Sequence, residues 1–244
     1  MVRHAITIIC LFLAVQAPAQ VPRNVMDWLS VAAQDGGGTI PQDYIAYWSF
    51  DTDASDATGN YSATATNNTP TFVSSGGVGN RGYVSCDSNP SWDFFTIPTV
   101  SMAIGGGIKM SVSIWINYNG FTLMQLLFGL SAGGNNYLSI NDRYDPLRVY
   151  TGVAKEKTTT VARYPSGWHH WVFLIGDNVA TGVYFDGKAV STLGGNFGYE
   201  AMSWNLLLKH YGNIGFRGFA DELYLYDREL TPTEITGIYN AEQP

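Results

Sequence analysis

Apolar and polar positions alternate along much of this chain. From Ser111 to Tyr118, Val112, Ile114, Ile116 and Tyr118 are interleaved with Ser111, Ser113, Trp115 and Asn117. That period of two turns one face of a strand toward a core. Tyr44–Phe50 is dense in β-forming residues, and Leu123–Leu130, Tyr137–Ile140 and Leu147–Tyr150 follow, with Gly- and Asn-rich turns between. Trp168–Ile175 and Thr181–Asp186 bracket Gly176-Asp177-Asn178, and Asp186-Gly187 is a hairpin-turn dipeptide. Leu206–Lys209 and Phe216–Tyr226 close the series. Many short strands without alternating helices predict an all-β fold, an antiparallel two-sheet sandwich. One helix is signalled near the C-terminus. Thr231 stands at the N-cap, Pro232 at the first helical position and Glu234 at the third, a capping box. Its expected length is about two turns, ending near Asn240.

Composition fits that picture. The chain has 244 residues, 45% hydrophobic, enough for one sizeable core in a single domain. Aromatics reach 14%, charged residues only 14%, and 27 glycines supply tight turns. A formal charge of −7 argues against nucleic acid or anionic membrane as partner, since both require clustered Lys and Arg. Residues 1–19 read as a signal peptide: Arg3 and His4, an apolar run from Ala5 to Val15, then Ala17-Pro18-Ala19 with cleavage before Gln20. The run is shorter than the ~20 residues that span a bilayer. Secretion is therefore expected, with no membrane insertion after cleavage. Cys86 would stand alone in the mature chain, so no internal disulfide is expected. Residues 20–43 read as a leader and 44–244 as the domain. In the leader, Val25, Trp28, Leu29 and Ala32 share helical spacing before Gln34-Asp35-Gly36-Gly37-Gly38 breaks it. Such a segment either packs on its own sandwich or serves as a docking element, making residues 20–38 a candidate for self-assembly.

Four segments carry a family resemblance. Tyr47-Trp48-Ser49-Phe50-Asp51 with Asp56-Ala57-Thr58-Gly59-Asn60 resembles the opening of a laminin-G-like domain of the concanavalin A-like lectin/glucanase superfamily. Ser113-Ile114-Trp115-Ile116 is similar to its central strand, and Gly167–Val172 followed by Val183–Lys188 to its middle hairpin. Gly218–Thr231 resembles its closing strand and helix cap. The resemblance runs from about Tyr44 to Asn240 and implies a jelly-roll sandwich. It implies function poorly, because sites are grafted onto such folds independently.

Calcium is the cofactor this pattern suggests. Asp51, Asp53 and Asp56 cluster, and hard cations take several carboxylate and carbonyl oxygens. The resemblance adds Asp221 on the last strand and implies a structural ion joining first strand to last, with Asp51 and Asp221 as leading ligands. The alternative is that these aspartates only shape turns. His169 and His170 are strand neighbours and point to opposite faces, so they cannot readily share a metal. Glycoside hydrolysis normally needs two carboxylates flanking the bond, yet no Glu-x-Asp-x-Glu run is present. Asp221 and Glu222 are adjacent and expected to diverge; Asp227 and Glu229 precede the helix cap. No catalytic residues are assigned. Sugar binding would use aromatic faces with amides and carboxylates; Trp92, Tyr144, Tyr199, Trp204 and Tyr211 are the candidates, while Trp48, Trp115, Trp168 and Trp171 are assigned to the core. The sequence thus reads as a secreted, non-catalytic recognition module for carbohydrate. The alternative is a structural or adhesive surface protein acting through protein contacts.

Overall fold

The computed structural model describes residues 38–66, 70–86, 94–103, 109–118, 124–129, 138–141, 144–151, 156–162, 165–176, 182–191, 201–208, 216 and 218–243. The expected signal peptide, the Val25–Ala32 segment and the candidate residues Trp92, Tyr199 and Tyr211 lie outside the described residues.

Residues 34–244 form one compact unit. Its strands are β1 (Ala46–Trp48), β2 (Thr64–Thr66), β3 (Thr71–Val73), β4 (Tyr83–Ser85), β5 (Phe94–Ala103), β6 (Lys109–Asn117), β7 (Met124–Gly129) and β8 (Leu138–Asn141). They continue as β9 (Arg148–Thr151), β10 (Glu156–Thr158), β11 (Trp168–Gly176), β12 (Val183–Phe185), β13 (Lys188–Ala189), β14 (Ala201–Leu207) and β15 (Phe219–Tyr226). Helix α1 (Pro232–Glu242) ends the chain. Among the described residues the first sheet runs β13-β12-β11-β6-β15-β4-β3, with β1 also on β15, and the second runs β10-β9-β8-β7-β14-β5-β2. The strand pairs within both sheets are antiparallel, so the two-sheet sandwich expected from the alternating pattern is the fold observed.

Alternation places Val112, Ile114 and Ile116 of β6 and Trp171, Phe173 and Ile175 of β11 between the sheets, with Trp48, Trp204 and Leu223 in the same core. Much of the opposite face of the first sheet is covered by α1, while Tyr83, Trp168 and Phe219 at its other end stay partly exposed. On the covered part Val172, Leu174, Tyr224 and Tyr226 pack against Leu230, Ile235 and Ile238, with Ile40, Tyr44 and Tyr47 at the margin. The serines of β6 are therefore buried as well, and each has a partner. Ser111 Oγ donates to Arg228 O at 2.8 Å and accepts from Leu230 N at 2.9 Å. Ser113 Oγ lies 2.7 Å from His170 Nε2.

The capping box forms as the sequence predicts: Glu234 N donates to Thr231 Oγ1 at 3.2 Å and Thr231 N to Glu234 Oε2 at 2.7 Å. The helix nevertheless continues past Asn240 to Glu242, because Glu242 finds buried partners on the sheet. Residues 38–43 belong to the same layer. Asp43 receives a two-pronged ion pair from Arg228 at 2.6 and 2.8 Å, and Tyr226 Oη donates to Pro41 O at 3.1 Å. Gly38 lies so close to α1 that a Cβ there would sit 2.1 Å from Gly237 O. Trp48 and Trp171 join the inner core as expected, whereas Trp115 lies under α1 and Trp168 is only half-buried, its Nε1 donating to Gly76 O at 2.9 Å.

Two substitutions separate packing from capping. Ile238→Ala removes a fully buried side chain under α1 and is expected to cost about 2–5 kcal/mol in urea unfolding. Thr231→Ala, which removes only an exposed cap, is expected to cost about 1 kcal/mol.

Candidate functional site

Strand β15 pairs with β6 along one edge, while its other edge is shared by β4 at Phe219–Ala220 and by β1 at Leu223–Leu225. The break between β4 and β1 coincides with a bulge in β15. Asp221 is opposite Trp115 and Tyr224 opposite Ser113, so three steps on β15 match two on β6. Glu222 takes up the extra residue with φ of 48°. The expectation that Asp221 and Glu222 diverge is therefore corrected: the bulge cancels the alternation, and both carboxylates reach the Gly77–Gly82 turn. Asp221 Oδ2 accepts from Val78 N at 2.8 Å, and Glu222 Oε1 pairs with Arg81. Glu222 Oε2 accepts from Tyr47 Oη at 2.6 Å and lies 3.0 Å from Tyr224 Oη.

Asp51 closes this turn from the β1 side, its Oδ1 accepting from Gly82 N at 2.9 Å. Only glycine fits at the two ends of the turn. A Cβ on Gly82 would meet Asp51 O at 2.1 Å, and one on Gly77 would meet Gly82 O at 2.3 Å and Asp221 Oδ2 at 2.6 Å. Burial, the neighbouring Glu222 and, more weakly, Asp51 push the Asp221 carboxyl up to about 8, against the Val78 hydrogen bond and Arg81. Carboxyl and carbonyl oxygens thus converge here, with one arginine among them.

Not all four aspartates expected to hold calcium fit a cation. Asp56 is a turn organiser: its oxygens accept from the backbone of Tyr47 at 2.8 Å, Asn60 at 3.0 Å and Tyr61 at 3.0 Å, and from the Thr58 hydroxyl. Those bonds outweigh its burial and lower its pKa. Asp53 is exposed and caps its own turn through Ser55 N at 2.8 Å. Among the described residues no group of three or more His, Cys, Asp or Glu side chains is placed to share a metal. Asp51 and Asp221 do flank one turn with the carbonyls of Asp51 and Gly82, although Gly82 N, Val78 N and Glu222 N already donate to their carboxylates.

The two histidines face opposite ways. His170 is buried beneath α1, and burial pushes its pKa down to about 3, so it is neutral. His169 stacks on Phe185 at 4.6 Å beside an apolar cleft with Val161, Pro165 and Val190. Burial opposes charging of His169, but its Nδ1 is 2.8 Å from Asp186 Oδ2 and its Nε2 3.1 Å from Ser166 O, which together raise its pKa.

The candidate sugar-facing aromatics divide. Trp204 is 1% exposed and opposite Val100 in the inner core, so it cannot stack on a ligand; its place near apparent loops concealed an inward register. Tyr144 is exposed, and the Arg148 guanidinium lies 4.0 Å from the centre of its ring. Val149 points into the core, which puts Arg148 and Tyr150 on the outer face of the second sheet. Residue reasoning missed Arg81 and Glu242. Glu242 did carry a signal, since an acid in the last turn of a helix opposes the helix dipole.

A family model described as the concanavalin A-like lectin/glucanases superfamily, of laminin-G type, matches residues 89–236, more than half of the chain. No curated protein matches. Among solved structures, the chain is similar to domain 4 of AbnA, an extracellular arabinanase from Geobacillus stearothermophilus, in complex with arabinotriose. That match has 24% identity and a TM-score of 0.62, covering 81% of this chain and 98% of that one. It is also similar to Trypanosoma rangeli sialidase, at 17% identity and a TM-score of 0.60, covering 89% of this chain but only 38% of the sialidase. The binding domain of botulinum neurotoxin DC, in complex with rat synaptotagmin II, matches at 13% identity and a TM-score of 0.51, covering 83% of this chain and 52% of that one.

The crowded turn is open to a direct check. Gly82→Ala is expected to destabilise the domain far more than Gly59→Ala, where the added Cβ meets nothing within 4 Å. The latter should cost only about 1 kcal/mol, from its positive φ. Equal losses in denaturant unfolding would mean that the turn is not close-packed.

Proposed function

The chain belongs to the concanavalin A-like lectin/glucanases superfamily, and from that premise we propose that it is a secreted, non-catalytic recognition module that binds carbohydrate. The observation that carries this reading is the pairing of exposed Tyr144, in the β8–β9 connection, with Arg148 at the start of β9 in the second sheet. A tyrosine ring offers an apolar face to the C–H side of a sugar, and a guanidinium beside it supplies fixed donors to hydroxyl or carboxylate oxygens. Much of the outer face of the first sheet is covered by α1 and residues 38–44, which favours the second sheet as the ligand face. The arabinotriose complex of a domain with similar architecture supports the ligand class.

The acid residues support a role without turnover. Asp221, Glu222 and Glu242 are buried and engaged by internal donors. Asp227 and Glu229 lie in the turn before α1, the latter paired with Lys109. Calcium enters as part of the same proposal, narrowed to Asp51 and Asp221 with neighbouring carbonyls. There it would neutralise converging oxygens and tie β1 to β15, contributing stability and no chemistry. The runner-up function is adhesion through protein contacts, which the synaptotagmin complex of a similarly folded domain keeps in view.

Two measurements test these readings. On a glycan array followed by calorimetry, the wild type should bind a defined glycan saturably, and Tyr144→Ala or Arg148→Ala should weaken binding at least tenfold, about 1.4 kcal/mol, with unchanged melting temperature. Binding to no glycan, together with saturable binding to a protein, would favour adhesion. Calcium should raise the melting temperature relative to chelator, and Asp221→Asn should erase the difference; an equal melting temperature in both would remove the ion from the account.

A further inference from the structure

We infer that α1 is latched to the first sheet by one buried proton on Glu242, and that withdrawing this proton at alkaline pH frees the C-terminal end of the helix. The inference rests on counting hydrogens. Tyr224 Oη lies 2.7 Å from Glu242 Oε1 and 3.0 Å from Glu222 Oε2. A phenol has one hydrogen and donates once. Were both carboxyls ionised, one of these oxygen pairs would face each other with no hydrogen between them, away from water. One carboxyl therefore holds a proton.

Its location follows from the surroundings. Burial raises the Glu222 carboxyl too, but unlike Glu242 it faces a guanidinium, that of Arg81, and accepts a second hydroxyl from Tyr47 at 2.6 Å, both of which favour its carboxylate. Glu242 faces only neutral partners: Trp115 Nε1 donates to its Oε2 at 2.8 Å, and Tyr224 meets its Oε1. It also stands in the last turn of α1, where the helix dipole disfavours a negative charge. The neutral acid thus donates from Oε1 to Tyr224, Tyr224 donates to Glu222, and Glu222 pairs with Arg81. Four elements, α1, β15, β6 and the turn before β4, meet in this chain.

The other titratable groups close to Glu242 do not reverse the argument. They are Tyr226 on β15 and Tyr47 on β1, both held neutral by burial, and Arg81, whose charge acts on Glu242 more weakly than that of Glu222. Burial and the nearby Glu222 hold the Glu242 carboxyl well above the usual glutamate range. A group whose folded pKa lies above its unfolded value lends its full stability below the unfolded value, here 4.5. That stability is lost as pH rises toward the folded value. Ile235 and Ile238 anchor the first two turns of α1 and Gln243 is exposed. The loss therefore falls on the last turn, where Glu242 is joined by Tyr239 on Trp115 and by the Gly38 contact with Asn240 and Ala241.

The test is thermal unfolding of the full chain from about pH 5 to about pH 9, with chelator throughout, for wild type and Glu242→Gln. Glutamine keeps one donor and one acceptor but cannot ionise. The wild-type melting temperature should fall more steeply with pH than that of the variant. Equal slopes would overturn the latch. As a check independent of the variant's folding, the carboxyl carbon resonance of Glu242 in the wild type should remain at its protonated position at neutral pH. Titration within the ordinary glutamate range would overturn it as well.

Discussion

A single extra residue in β15 determines where the acidic side chains of this domain go. In a regular strand Asp221 and Glu222 would point to opposite faces. The bulge turns both toward the break between β4 and β1, where Asp221 meets Val78 and Glu222 meets Arg81 and Tyr47. From Glu222 the contacts run through Tyr224 to Glu242, at the end of α1. Both ends of the described chain are thereby tied to one strand, and Arg228, just past its end, pairs with Asp43 and Glu234. Such buried charge is weak evidence for raw stability, since its desolvation offsets much of the attraction. What it fixes is register: a strand slipped by one residue would bury these carboxyls without partners.

The consequence is a division between the two sheets. The first carries apolar side chains on both faces, and α1 with residues 38–44 covers much of the outer one. Its polar side chains are spent on holding elements together, as the paired Ser111 and Ser113 illustrate. At the β8–β9 end of the second sheet, Tyr144 in the connecting bend packs on Arg148, which opens β9, a strand whose Val149 anchors in the core. A guanidinium held by a strand beside an aromatic ring is a preformed pair of the kind that suits recognition of a sugar.

Much of this fold was legible in the chain. The alternation of β6, the Asp186-Gly187 turn and the Thr231–Glu234 capping box all stand where the pattern puts them. The site was less legible, for identifiable reasons. A bulge leaves no mark on a hydrophobic pattern, so the convergence of Asp221 and Glu222 was hidden. The polar residues of β6 alternate with its core residues, and what covers them is α1, far off in sequence. Trp204 looked peripheral because its neighbours are polar, while its register against Val100 turns it inward. Asp56 resembled a cation ligand, since an aspartate that organises a turn and one that binds calcium have the same composition and differ only in which donors reach the oxygens.

The central claim is that recognition belongs to the outer face of the second sheet, while the buried acids serve the fold. Mapping amide resonances during titration with an arabino-oligosaccharide, or another glycan selected on an array, tests this most directly. The account predicts shifts concentrated at Tyr144, Arg148 and Tyr150, with the Asp51, Asp221 and Glu242 amides unmoved. Shifts concentrated instead around the Gly77–Gly82 turn and β15 would contradict it and return the acidic cluster to the centre of the function.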